Sequence, residues 1–322
     1  MGGVQIILEV LPGVLKLWMN VLPSMLIGCL LANLFRNTAF LHRLGQSMRP
    51  LARMGHLPKA CATSLTLCFV NRIAAYTMLA ELKNTGIIGG RDVMVTVLVS
   101  ALPTGLYFLT FFIGPVVISS LGWSTGGTYL LIHLSINLIV SGVGLLMGKL
   151  ILPLPKQGKE AGEQGWEAVQ EPWREKLIVA VRQTLPPFYR LARVFMPVTL
   201  LVSILLHTQL MEQVMQQVDL ALRYLSLPGV TIVVITTGVM SMIAAIGTLG
   251  PILQAGLITP DEAVVTLLVT SVLHYLYEFW SGGLPTNISI LGPKLGGKVS
   301  LAALLVRESA TLLALGLVVL LT

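Results

Sequence analysis

The sequence predicts an all-α polytopic membrane protein made of two homologous repeats. Three observations carry that prediction. The 322 residues are 55% hydrophobic and only 11% charged, with a mean hydropathy of +0.84, where soluble chains carry about a quarter charged residues. Eight apolar stretches approach or exceed the roughly 20 residues that a helix needs to cross about 30 Å of hydrocarbon. The sequence also matches itself at a constant shift of 170 residues. The short alternating strands of an outer-membrane barrel are absent, so helices must satisfy the backbone inside lipid.

In chain order the apolar stretches are 12–35, 60–80, 93–121, 126–152, 194–210, 229–258, 262–284 and 296–321. The first four fill repeat 1, residues 1–153. A polar linker, 154–186, follows, and its second part from Trp173 to Leu185 is patterned as an amphipathic surface helix. The last four stretches fill repeat 2, residues 187–322. The repeat itself runs ungapped from Leu57 to Gly127: Leu57-Pro58 falls on Leu227-Pro228, Ile73-Ala74-Ala75 on Ile243-Ala244-Ala245, Leu106-Tyr107 on Leu276-Tyr277, Pro115 on Pro285, and Gly126-Gly127 on Gly296-Gly297. Chance similarity between greasy segments matches leucines; it does not keep prolines, glycines and tyrosines in register.

Charge decides orientation. Arg36, Arg43, Arg49, Arg53 and Lys59 lie between 36 and 59 with no acid among them, the pattern of a cytoplasmic loop. The counterpart loop 211–227 carries Glu212, Asp219 and Arg223. Opposite bias in matched loops favours an inverted pair of repeats over a parallel one. Inversion needs an odd number of crossings per half, hence about three spanning helices plus one broken or re-entrant hairpin. Helix breakers place that hairpin at 93–121 and 262–291, through Pro103 and Pro115 in one and Gly282, Gly283 and Pro285 in the other. Four straight crossings per half, in parallel, are the alternative. The N-terminus lacks a basic leader region, so no cleaved signal is expected.

The net charge of +7 does not signal nucleic acid, because its basic residues form no soluble domain with interleaved aromatics. Gly-rich phosphate loops, His-Glu-x-x-His and Cys-x-x-Cys are absent, so neither an enzyme nor a cofactor is expected. Cys29, Cys61 and Cys68 fall in predicted helices and read as small buried hydrophobes rather than disulfides or a metal site. The partners expected are the lipid bilayer and a small-molecule or ion solute, with a homo-oligomer left open.

An ionisable residue at membrane depth is a functional candidate by default. The candidates here are Arg72 with its polar neighbour Asn71 in the second apolar stretch, His274 and Glu278 with the polar Ser281, Thr286 and Asn287 around the second set of breakers, and Arg307-Glu308 near the middle of the last helix. Structural roles compete for each: a helix anchor for Glu278, a buried ion pair for Arg307-Glu308. His133 and Asn137, which align with Ala303 and Arg307, are weaker candidates because a lone polar side chain often bridges helices.

The segments Asn71-Arg72-Ile73-Ala74-Ala75-Tyr76 through Gly86-Ile87-Ile88, Gly114-Pro115…Leu121-Gly122, and Gly283-Leu284-Pro285…Leu291-Gly292-Pro293 resemble bacterial and archaeal membrane proteins with paired nucleoside-recognition, or Gate, domains. Such domains also occur in concentrative nucleoside transporters, in the ferrous-iron permease and in spore-maturation membrane proteins. The resemblance implies a gated membrane pathway. This chain lacks the iron permease's GTPase domain and cysteine-bearing gate motif. The reading that follows is a permease of the cytoplasmic membrane, moving a nucleoside-like solute or organic anion between its repeats. A non-transporting scaffold of the spore-maturation type and a divalent-metal permease are its rivals.

Overall fold

The computed structural model of the chain describes residues 11–15, 18–19, 22–23, 26–27, 30, 48–69, 71–153, 173–206 and 227–321. Arg36, Arg43, Cys29, the linker up to 172 and the acidic loop 211–226 lie outside the described residues. Among the described residues every regular element is helical. In order these are α1 (Lys59–Leu67), α2 (Arg72–Asn84), α3 (Gly90–Val99), α4 (Ala101–Phe108), a π-helical turn π1 (Leu109–Ile113), α5 (Gly114–Ile151), α6 (Trp173–Leu206), α7 (Thr231–Met240), α8 (Met242–Gln254), α9 (Pro260–Glu278), π2 (Phe279–Gly283), α10 (Leu284–Leu291) and α11 (Pro293–Leu321). α6 runs unbroken past position 186, so the second part of the linker and the start of the second half are one helix.

Element ends recur at the shift that the residues show. α2 and α8, π1 and π2, the starts of α3 and α9, and the ends of α5 and α11 each differ by 170. So do the special glycines: Gly86 and Gly256 have φ of 76° and 70°, Gly122 and Gly292 have φ of 77° and 83°.

Each half holds one short helical hairpin. α1 and α2 have 9 and 13 residues, α7 and α8 have 10 and 13. Arms this short reach only about 15–20 Å, against the roughly 30 Å of a bilayer core. In the second hairpin the arms lie side by side: Thr237 Oγ1 is 3.4 Å from Thr248 Oγ1, and a methyl on Gly238 would press on Ala245. The tips are single extended residues, Asn71 (φ −157°, ψ 107°) and Ser241 (φ −154°, ψ 110°). Asn71 Oδ1 accepts from the backbone N–H groups of Ile73 and Ala74, at 2.9 and 3.2 Å, so the tip residue caps the returning helix.

This corrects the expected position of the hairpin. The short pairs of helices that fold back are 59–84 and 231–254, whereas 93–121 and 262–291 run on as long helices to the glycine turns. Pro103 sits in the first turn of α4, where a missing N–H costs no helical bond. Pro115 and Pro285 lie in the first turn after each π segment, where the Gly114 and Leu284 N–H groups reach back five residues to the Leu109 and Phe279 carbonyls. The widened turn absorbs the proline ring that would otherwise strike the preceding turn. Gly282 and Gly283 belong to π2 itself. None of these five turns the chain.

The turn comes at Gly122 and Gly292, whose φ/ψ of 77°/175° and 83°/162° are open essentially to glycine alone. Gly122 divides the apolar run Gly90–Ile151 into two arms, 90–121 and 123–151, and Gly292 separates Pro260–Leu291 from Pro293–Leu321. Gly90–Ile151, Pro260–Leu291 and Pro293–Leu321 are each long and apolar enough to cross a membrane. The arms pack antiparallel along glycine seams: Gly144 abuts Leu98, Gly148 abuts Val95, and Gly296 abuts Asn287. Outward faces are apolar, with Leu131, Leu138, Leu146 and Leu150 on α5 and Leu305, Leu312, Leu313, Leu317 and Leu320 on α11 exposed. A face of leucines at helical spacing suits lipid. One core joins the halves, with Val116, Val117, Tyr129 and Ile136 packed among Ala245, Ile246, Leu249, Ile252, Leu267 and Leu268. The chain is an all-α, multi-pass membrane protein.

Candidate functional site

Two polar groups meet inside this apolar frame. The first is at the tip of the α1–α2 hairpin. Arg72, the first residue of α2, faces Glu278, the last residue of α9, with Nη2 and Oε1 3.7 Å apart. The pair links the two halves, and both side chains are a little over 40% exposed. Glu278 stands near the middle of the Pro260–Leu291 rod, which is long and apolar enough to cross a membrane. Charges there do not tolerate hydrocarbon, so the face on which this pair opens must meet water or other polar groups. Behind the tip, the Tyr76 hydroxyl lies 3.3 Å from Ser100 Oγ, both buried.

The second group is buried between α5, α9 and α11. Arg307 Nη2 donates to Asn137 Oδ1 at 3.3 Å, and the guanidinium carbon lies 5.0 Å from the centroid of the Tyr275 ring. Asn137 Nδ2 donates to the His133 carbonyl at 2.8 Å. His133 Nε2 shares a 3.2 Å hydrogen bond with the Tyr275 hydroxyl, and Tyr129 Oη is 3.4 Å from Ser271 Oγ. Asn137 and Arg307 are 170 residues apart, so counterparts of the repeat touch each other. Three polar atoms of this group stay without a hydrogen-bond partner: His133 Nδ1 and both carboxylate oxygens of Glu308.

The two groups join at α9, where Glu278 follows Tyr275 by three residues, about one helical turn, and together they make a polar lane.

Of the residues singled out from sequence, Arg72 and Glu278 form the first group, Arg307 with Glu308 beside it belongs to the second, and Asn71 caps α2 at the hairpin tip. His274 does a different job: its Nδ1 donates to the Val239 carbonyl at 3.0 Å, tying the α7–α8 tip to α9. Asn287 Nδ2 donates to Ser300 Oγ at 2.8 Å and so bridges α10 to α11. Ser281 is exposed in π2, and Thr286 is half-buried with its carbonyl accepting from Ser289 Oγ. Sequence reasoning missed Tyr76, Tyr129, Ser271 and Tyr275 and ranked His133 and Asn137 too low. The signal for the last was present, since Asn137 and Arg307 are polar at matched positions of two apolar helices.

Residues 18–123 match the family described as Gate, nucleoside recognition. The match lies wholly in the first half. The match holds the α1–α2 hairpin, the outgoing arm, π1 and the Gly122 turn; the second half, beyond the matched residues, repeats these boundaries. Among similar proteins are three uncharacterized proteins of Methanocaldococcus jannaschii. MJ0880 is 24% identical over 83% of this chain and 86% of its own length, and MJ1589 is 24% identical over 79% and 97%. MJ0871 is 26% identical over 84% of this chain and 83% of its own. No solved structure matches.

Proposed function

We propose that this protein is a permease, not an enzyme, that moves a small polar solute, nucleoside-like or an organic anion, through the lane between its two halves. The observation that carries the reading is the Arg72–Glu278 pair: a half-exposed ion pair at membrane depth, joining the tip of a short hairpin in one half to the mid-membrane point of a long helix in the other. A hairpin that ends halfway across leaves its tip to be covered or uncovered by small movements of its neighbours. The Gate match over residues 18–123 supports a membrane-transport setting. The repeats are read as an inverted pair in the cytoplasmic membrane, which the opposed charges of loops 36–59 and 211–227 support.

The test is solute uptake into proteoliposomes by the whole protein and by Glu278→Gln and Arg72→Ala, made separately. Each variant is expected to lower uptake while the protein remains folded and inserted. Unchanged uptake and binding in both would remove the lane as the site. Absence of uptake for any solute, together with protection of single cysteines at 71–73 and 278 from aqueous thiol reagents, would favour a packed scaffold instead.

A further inference from the structure

The two cations of the lane are met differently. Arg72 has Glu278. Arg307, at the centre of the 29-residue α11, has no carboxylate within 4.0 Å among the described residues; its contacts are one neutral amide oxygen and the face of a tyrosine ring. The neighbouring Glu308 does not compensate by hydrogen bonding, because both of its oxygens are sealed and accept from no described group, the guanidinium included. Adjacent helical residues point about 100° apart, which explains why the two miss each other. A guanidinium has five donors and cannot lose its charge, so in a low-dielectric site it needs an anion to complete it. The 3.3 Å bond to Asn137 is a long, neutral substitute for the 2.7–2.9 Å that a charged acceptor would give.

His133, only 7% exposed, adds a second sign that the place is incomplete: its Nδ1 has no partner although Nε2 is held by Tyr275. The groups touching the guanidinium are thus an amide and an aromatic ring whose hydroxyl holds a half-satisfied imidazole. They are polar but uncharged and leave its donors without a carboxylate acceptor.

We infer that the solute is a small oxyanion, a carboxylate or phosphate, whose charged group binds Arg307 in place of Asn137 Oδ1. The inference rests on the transport reading and selects the anion over the neutral nucleoside. Arg72 gives the anion a second guanidinium along the lane, available when Glu278 parts from it. The planar fork of Arg307 suits two oxygens of one group at once.

Thermal stability of the purified full chain and counterflow in proteoliposomes are measured with acetate, lactate, succinate, inorganic phosphate and uridine. One or more oxyanions is expected to stabilise the protein and support counterflow; the carboxylate and phosphate arms tell the two sources apart. Arg307→Gln should raise the anion concentration needed for stabilisation by about tenfold or more, as for loss of a charged hydrogen bond. Arg307→Lys should retain part of the response. Asn137→Ala keeps the guanidinium and removes its internal acceptor, so it should respond to the anion at least as well as the natural chain. Should Arg307→Gln fail to fold, Asn137→Ala decides: a folded protein without anion response overturns the inference. An Arg307→Gln protein that responds like the natural chain overturns it too. If uridine acts and no anion does, the anion is wrong and transport stands. If no probe acts, both readings fall.

Discussion

Tyr275 does two things at once, and they separate by mutation. Its hydroxyl holds His133 Nε2 at 3.2 Å and its ring lies under the Arg307 guanidinium at 5.0 Å. Tyr275→Phe keeps the ring and leaves the buried imidazole without a partner on either nitrogen, a loss of about 1–3 kcal/mol. Tyr275→Leu removes the ring face as well and should cost more. Thermal unfolding in detergent checks the order, and a Tyr275→Phe protein as stable as the natural one would mean the hydroxyl bond contributes nothing. The counterpart of Tyr275 under the repeat is Gly105, where a Cβ would stand 2.5 Å from the Asn137 side chain. The position is therefore full in both halves, once by a ring against a cation and once by an amide against a bare backbone. Neither partner is visible from one half alone, which is why the tyrosine escapes a reading that looks for charge.

At the level of elements, the 170-residue spacing recurs in the helix ends, but the sequence misled on which segment folds back. Proline and glycine advertise a break, yet Pro115 and Pro285 are absorbed by π turns, and Pro103 lies in a first turn that has no bond to lose. The true tips, Asn71 and Ser241, carry neither residue; their mark is a capping side chain at matched positions inside an apolar run, a quieter signal. The long arms turn instead on glycines outside the expected breakers. Gly122→Ala and Gly292→Ala should each destabilise by about 1–3 kcal/mol, because an alanine must enter a φ/ψ region that it rarely occupies. Gly127→Ala, with open space at the Cβ and no unusual φ, is the control and should change little. Equal melting temperatures for all three would refute the strained turn.

At the scale of the whole molecule, the proposed inversion of the halves makes a claim about sides. In a background free of Cys29, Cys61 and Cys68, single cysteines at Arg53 and Asp219 should be labelled by a membrane-impermeant thiol reagent from opposite faces of oriented vesicles. Labelling from one face would mean parallel repeats. The contact between Asn137 and Arg307 reaches further than topology. Residues that correspond under a two-fold relation and also touch lie beside the axis itself, and there two identical side chains would have to face each other. Two arginines in that place would repel, whereas an arginine and an asparagine pair. Only a chain that carries both halves can put different residues on the two sides of its own axis, so Arg307 occurs at this contact once per polypeptide. For the proposed transport, the stoichiometry expected is one solute for each chain, not one for each repeat.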